Sequence, residues 1–231
     1  MLNMWYSFDY GAVHFVSIDS ETDFAGAPEN EKGDSKIFAA GKFAPEGTYL
    51  AWLEEDLRRA ASDDNVAWIV AGGHRPFTSY SPENAATLAD LFAKYGVVVY
   101  FAGHAHSYTR TENYTTSTAA ARATPSSNNM PAATTHITVG GAGCEEMLFA
   151  PDNPTPGLHV NTTCYDWTQR VFPGGLKKNN IATCQSASFF TDAYAIGVLT
   201  VADGGRGDMQ WQLLSSIDGS VLDEVTWPAN R

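Results

Sequence analysis

At 231 residues, with 44% hydrophobic and 12% aromatic side chains, the sequence can bury one large core or two smaller ones and lies outside the disordered class. Its 26 acidic and 14 basic residues give a formal net charge of -12. Such a surface repels nucleic-acid phosphates and anionic membranes, which excludes both as nonspecific partners. No apolar run approaches the ~20 residues that span a bilayer, and an anionic substrate would need a local positive feature, such as a metal ion, to draw it in.

Trp5 to Asp19 reads as two apolar strands around Tyr10-Gly11. Val13, Phe15, Val16 and Ile18 make the second nearly apolar throughout, as a strand buried on both faces is. The residues before it carry neither the basic start nor the apolar run of a signal peptide, so the chain is expected to begin inside a folded unit. A polar loop covers 21–45. Leu50, Leu53, Leu57 and Ala60 then recur at helical spacing with charges opposite, predicting an amphipathic helix that ends near Ser62-Asp63-Asp64. Val66 to Ala71 is the next buried strand, running into Gly72-Gly73-His74. A second helix opens at Ser81-Pro82 with a serine cap and proline at its first position, carries Leu88, Leu91, Phe92 and Tyr95 as its apolar stripe, and stops at Gly96. Val97 to Ala102 is a further apolar strand, running into Gly103-His104-Ala105-His106. This alternation of strand and helix predicts an α/β unit.

Thr111 to Thr135, rich in Thr, Ser, Ala and Asn and containing Pro125 and Pro131, reads as a loop. His136 to Val139 is a strand, followed by a long irregular region. Strands near Ala193–Val201, Met209–Leu214 and Val221–Trp227 close the chain, with Asp218-Gly219 as a turn. The Gly33-Asp34 and Arg206-Gly207-Asp208 segments also read as turns. The three cysteines lack a C-x-x-C pair, which argues against structural zinc. One bridge is possible, with Cys164 and Cys184, which bracket the irregular stretch, as the expected pair. Two acceptor triplets, Asn113-Tyr114-Thr115 and Asn161-Thr162-Thr163, point to a secretory route and a secreted, extracellular or vacuolar glycoprotein.

Three of the six histidines, His74, His104 and His106, lie just past the C-terminal ends of apolar strands, where open α/β sheets bind ligands. In an extended His-x-His segment both side chains point to one side, able to reach two neighbouring ions or to converge on one. His14, His136 and His159 are expected in core or surface roles.

Gly72-Gly73-His74-Arg75-Pro76 followed by Gly103-His104-Ala105-His106-Ser107-Tyr108 resembles the last two metal-binding blocks of calcineurin-like metallophosphoesterases and, within them, of the purple acid phosphatases. Trp5–Gly11, His14–Asp19, Trp52–Leu57, Gly140–Glu146 and the Ala193–Trp227 region support the likeness. The resemblance implies the second half of a metallophosphoesterase β-sandwich flanked by helices, with a β-rich C-terminal segment. It divides the chain into 1–112, the C-terminal half of the catalytic domain, 113–135, a linker, and 136–231, the C-terminal segment. It also implies hydrolysis of small phosphate monoesters by a dinuclear centre of Fe(III) with Zn(II), Mn(II) or Fe(II). His74 and His104 would then bind the divalent ion and His106 the ferric one. A phosphodiesterase or nucleotide pyrophosphatase on the same centre, and a noncatalytic module, are the competing readings. Neither the substrate ester nor the oligomeric state follows from the motifs.

The resemblance is partial. The family's upstream Asp, Gly-Asp-x-x-Tyr and Gly-Asn-His blocks have no counterpart in this sequence, and three neutral imidazoles cannot balance two ions of total charge near +5. The remaining ligands are therefore expected ahead of Met1, and the chain alone is expected to hydrolyse phosphate esters negligibly. No histidine follows His74 before Gly103 to serve as proton donor to the leaving group, which leaves Arg75, Tyr80 and Tyr108 as candidates around the site.

Overall fold

The computed structural model describes residues 4–20, 45, 47–77, 82–114, 134–141, 189–191 and 194–229. Ten strands and two helices occupy them: β1 Tyr6–Tyr10, β2 Val13–Ser17, α1 Thr48–Ser62, β3 Trp68–Gly73, α2 Pro82–Tyr95, β4 Val97–Ala102, β5 Tyr108–Tyr114, β6 Thr134–Val139, β7 Phe189–Thr191, β8 Ala195–Val201, β9 Met209–Ser215 and β10 Val221–Trp227. The expected hairpin is β1–β2, with Gly11 at φ 60 in its turn. Both helices fall where the periodicity predicts them, and α2 is ended by Gly96 at φ 72, a left-handed conformation that glycine adopts without a Cβ penalty.

Seven strands form one sheet in the order β1-β2-β3-β4-β6-β5-β7. Its centre, β2-β3-β4-β6, is parallel. The C-terminal ends of these four strands therefore share one edge, and the glycine–histidine segments leave the sheet there. β6 inserts between β4 and β5, so the strand that opens the 136–231 segment lies inside the sheet of the first 112 residues. The reading of Thr111 onward as loop is corrected, since β5 continues to Tyr114. Its antiparallel partner β6 pairs with Thr111 and, past a register shift, with Tyr114, which a Thr-Glu-Asn run does not advertise.

The central strands are buried on both faces, and their residues alternate between two cores. Ile69 and Ala71 of β3 join Val16, Ile18, Tyr100 and the inner stripes of α1 and α2. Trp68 and Val70 join Val13, Val99, Ile137 and the three-stranded sheet β10-β9-β8. The Ile69/Val70 register irregularity against β4 lets the consecutive Val98 and Val99 both enter the second core. β1, at the end of the sheet, leaves Tyr6, Phe8 and Tyr10 exposed by 50%, 52% and 77%, with Phe8 stacked on Phe15 at 5.2 Å.

His14 departs from a plain core histidine. Its Nδ1 lies 2.7 Å from Asp9 Oδ1 and its Nε2 3.0 Å from Asp56 Oδ2, the latter on α1. Asp56 also accepts from Ser7 Oγ and Arg59. Only an imidazolium can donate to both carboxylates. Burial alone would lower the His14 pKa, but the two carboxylates together outweigh it and raise it above the ordinary 6.5. The folded value thus exceeds the unfolded one, so this contribution is complete below about pH 6.5 and is lost as pH rises through the raised value. We expect stability in urea to fall over that alkaline side and His14→Gln to flatten the profile; an unchanged profile in the variant would remove His14 as its source.

Candidate metal centre

His74 follows β3 directly, and His104 and His106 follow β4 after Gly103. The loop between β4 and β5 is not the extended His-x-His predicted from spacing. Ala105 N–H donates to Gly103 O at 2.7 Å and Ser107 N–H to Ala105 O at 2.8 Å, which makes two successive three-residue turns with a histidine at each apex. His104 sits at φ 63, a strained conformation outside glycine and of the kind that gathers at functional sites. The loop reaches this shape because it lies against Gly140, where a Cβ would come within 1.9 Å of Ala105 O. Gly140 N–H donates to Ser107 O at 3.0 Å and closes the contact.

The backbone beneath His74 is held from three sides. Gly103 N–H donates to His74 O at 2.9 Å, Arg75 N–H to Ser20 Oγ at 3.2 Å, and Tyr100 Oη to Arg75 O at 2.7 Å. Ser20 and Tyr100 are supports the sequence reading did not single out. The signal for Tyr100 was there: it is the one residue with a polar atom in the apolar run Val97–Ala102.

With these supports, His74 and His104 come together. His104 Nδ1 lies 3.2 Å from His74 Nε2, and the rings meet edge-on at 77° with centroids 5.1 Å apart. Two imidazole nitrogens at ~2.0–2.1 Å from one tetrahedral cation stand roughly 3.3 Å apart, so the pair fits a shared ion. Arg75 Nη1 lies 3.2 Å from His104 Nε2 on the other side of the ring. His106 is half-buried at the second turn. Among the described residues no group of three or more His, Cys, Asp or Glu side chains gathers to hold a metal ion.

Of the other candidates, Arg75 is at the site, while Tyr80 lies outside the described residues, as do His159, all three cysteines and the triplet at Asn161. Tyr108 is fully buried. Its hydroxyl donates to Asp223 Oδ2 at 2.7 Å and accepts from Trp211 Nε1 at 3.0 Å. Burial and the Asp223 charge push its pKa well above the ordinary tyrosine value, so Tyr108 is a tie between the two sheets and a poor proton donor. His136 packs its ring against Phe77 at 4.4 Å and Tyr100 at 5.5 Å in the interior.

Residues 5–108 match the calcineurin-like phosphoesterase family. Acid phosphatase A of Cryphonectria parasitica is 29% identical over 229 residues, covering 96% of this chain and 38% of that protein. Acid phosphatase type 7 of Mus musculus is 32% identical over 189 residues, covering 72% of this chain and 39% of that protein. The purple acid phosphatase from yellow lupin (Lupinus luteus) seeds matches 98% of this chain and 33% of its own with a TM-score of 0.58 at 20% identity, a likeness of fold. The chain therefore carries a calcineurin-like metallophosphoesterase domain. Within that class these homologues are acid phosphatases, and one structural neighbour is a purple acid phosphatase. It spans about two-fifths of the length of these curated relatives. Among the described residues no helix is long and apolar enough to cross a membrane.

Proposed function

We propose that this chain supplies the histidine side of a dinuclear metal centre in an acid phosphatase that hydrolyses phosphate monoesters. The observation that carries the reading is the His74–His104 pair, two ring nitrogens 3.2 Å apart at neighbouring strand ends. His74 and His104 would share the divalent ion, Zn(II), Mn(II) or Fe(II), and His106 would serve a ferric ion beside it. Carboxylates and further ligands would balance the charge and complete the site. Two adjacent cations in such a site lower the pKa of water to near neutrality and neutralise charge on the phosphoryl oxygens. The chain's own part is positional. The backbone clamp at His74 and the two turns at His104 and His106 hold the imidazoles in place before any ion arrives, which spares reorganisation at the reacting centre. The triplets at Asn113 and Asn161 favour a route through the secretory pathway for the same protein.

The test is metal analysis of the full-length protein alongside its hydrolysis of an aryl phosphate. Since removing partners that merely orient metal ligands costs about 10–100-fold, His104→Ala or His106→Ala should lower the rate by more than about 100-fold and reduce bound metal. Full metal content and full rate in either variant would remove that residue as a ligand.

A further inference from the structure

Arg75 has a hydrogen-bonding geometry that a loaded metal pair cannot tolerate. A guanidinium has donors only, so at 3.2 Å His104 Nε2 must accept from Arg75 Nη1. In a neutral imidazole the other nitrogen then carries the proton. His104 Nδ1–H accordingly donates to His74 Nε2 across 3.2 Å. The donors run in one direction, Arg75 to His104 to His74. A cation shared by His104 Nδ1 and His74 Nε2 needs the lone pairs of both nitrogens. The remaining His104 proton must then sit on Nε2, where it would face the guanidinium donor to donor, with the ion's positive charge added. The Arg75–His104 bond and the loaded pair exclude one another.

We infer that Arg75 is an exchangeable cation. It holds the two imidazoles together before loading and is displaced when an ion binds, so that its guanidinium becomes a ligand for a phosphoryl oxygen of the substrate. Displacement moves only the side chain, because the Arg75 N–H and C=O are fixed by Ser20 and Tyr100. A planar guanidinium fork matches phosphate in shape and charge, and a chain of net charge -12 offers few other ways to attract an anion. The other five Arg and Lys side chains among the described residues are engaged away from the histidines. Arg58, Arg59, Lys94 and Arg110 sit against carboxylates, and Arg206 against the carbonyls of Asp64 and Asn65. The inference rests on the proposed metal reading and adds a substrate-binding role for one residue.

The experiment uses the metal-stripped full-length protein and its Arg75→Ala and Arg75→Lys variants, with zinc affinity, inorganic phosphate inhibition and aryl phosphate KM as readouts. Arg75→Ala should bind zinc about tenfold more tightly, because the ion no longer displaces a charge-assisted bond, and should raise KM and weaken phosphate inhibition by about tenfold or more. Arg75→Lys should fall between. A role limited to propping the histidines would instead weaken zinc and substrate binding together, and that result overturns the inference, as does an unchanged KM. Ring-nitrogen NMR of the unsubstituted protein gives a readout independent of the variants. The His104 proton should sit on Nδ1 before zinc and on Nε2 after it, and an Nε2 proton before zinc also overturns the inference. Failure of the unsubstituted protein to bind zinc through His74 and His104 would sink the metal reading itself, which distinguishes the two failures.

Discussion

Asp223→Ala should lower the unfolding free energy by about 3–5 kcal/mol, the range for removing one partner of a buried ion pair. Asp223 is buried within β10, yet each of its oxygens is used. Arg110 Nε and Nη2 donate to Oδ2 and Oδ1 at 2.7 and 2.9 Å in a bidentate fork, and the Tyr108 hydroxyl donates to Oδ2 as well. These contacts join β5 of the large sheet to the three-stranded sheet. Losing the carboxylate takes the bidentate ion-pair partner from a buried guanidinium, and weaker pairing of a buried charge is the dominant cost. The asymmetry gives the control: a double variant, Asp223→Ala with Arg110→Met, should recover part of the loss, because it removes the buried charge along with the carboxylate that paired it. Denaturant melts of the three proteins measure this. A single variant within 1 kcal/mol of the parent would show that the pair contributes little beyond its own desolvation.

The second large effect is expected from a methyl group. Gly140→Ala would place a Cβ 1.9 Å from Ala105 O and 3.1 Å from His106 Cα. Both neighbours are backbone and cannot rotate aside, so the turn that carries His106 has to move. Overpacking of this kind costs about 1–3 kcal/mol, occasionally more, and here the displacement falls on a candidate ligand. Metal occupancy should drop together with stability. Gly72→Ala is the matched control on the same sheet edge, since its Cβ would meet nothing closer than Phe101 O at 3.8 Å. It should leave both properties close to the parent. Equal behaviour of the two variants, measured by thermal melts and metal analysis, would break the link between Gly140 and the histidine turns.

The elements carrying the site were legible in the sequence because their signals are local. An unbroken apolar run locates β4 at its observed ends, Pro82 opens α2, and the histidines stand where those patterns stop. What escaped is long-range or chemical. Nothing local says that β6 pairs between β4 and β5, and β7 is three residues within an aperiodic stretch. The two tight turns of Gly103–Ser107 depend on the absence of a side chain at Gly140, more than thirty residues away in sequence. Asp223, in the run Val221–Trp227, looks like one solvent-facing charge of an alternating strand until Arg110 is seen opposite it. His14 could be placed in a strand from the pattern, but its two carboxylate partners come from different elements, one of them across 42 positions.

The end strand β1 has a further bearing on how the chain behaves in solution. Its aromatic row of Tyr6, Phe8 and Tyr10 lies on a strand that has β2 as its one neighbour among the described residues, and such edges template pairing with further strands. At neutral pH the excess of negative charge holds identical copies apart. That repulsion fades as the medium approaches the isoelectric point near 4.7, and edge-to-edge association gains ground in acidic buffers. The colloidal state of the isolated chain is thus set by pH through its surface charge, separately from the candidate histidine cluster.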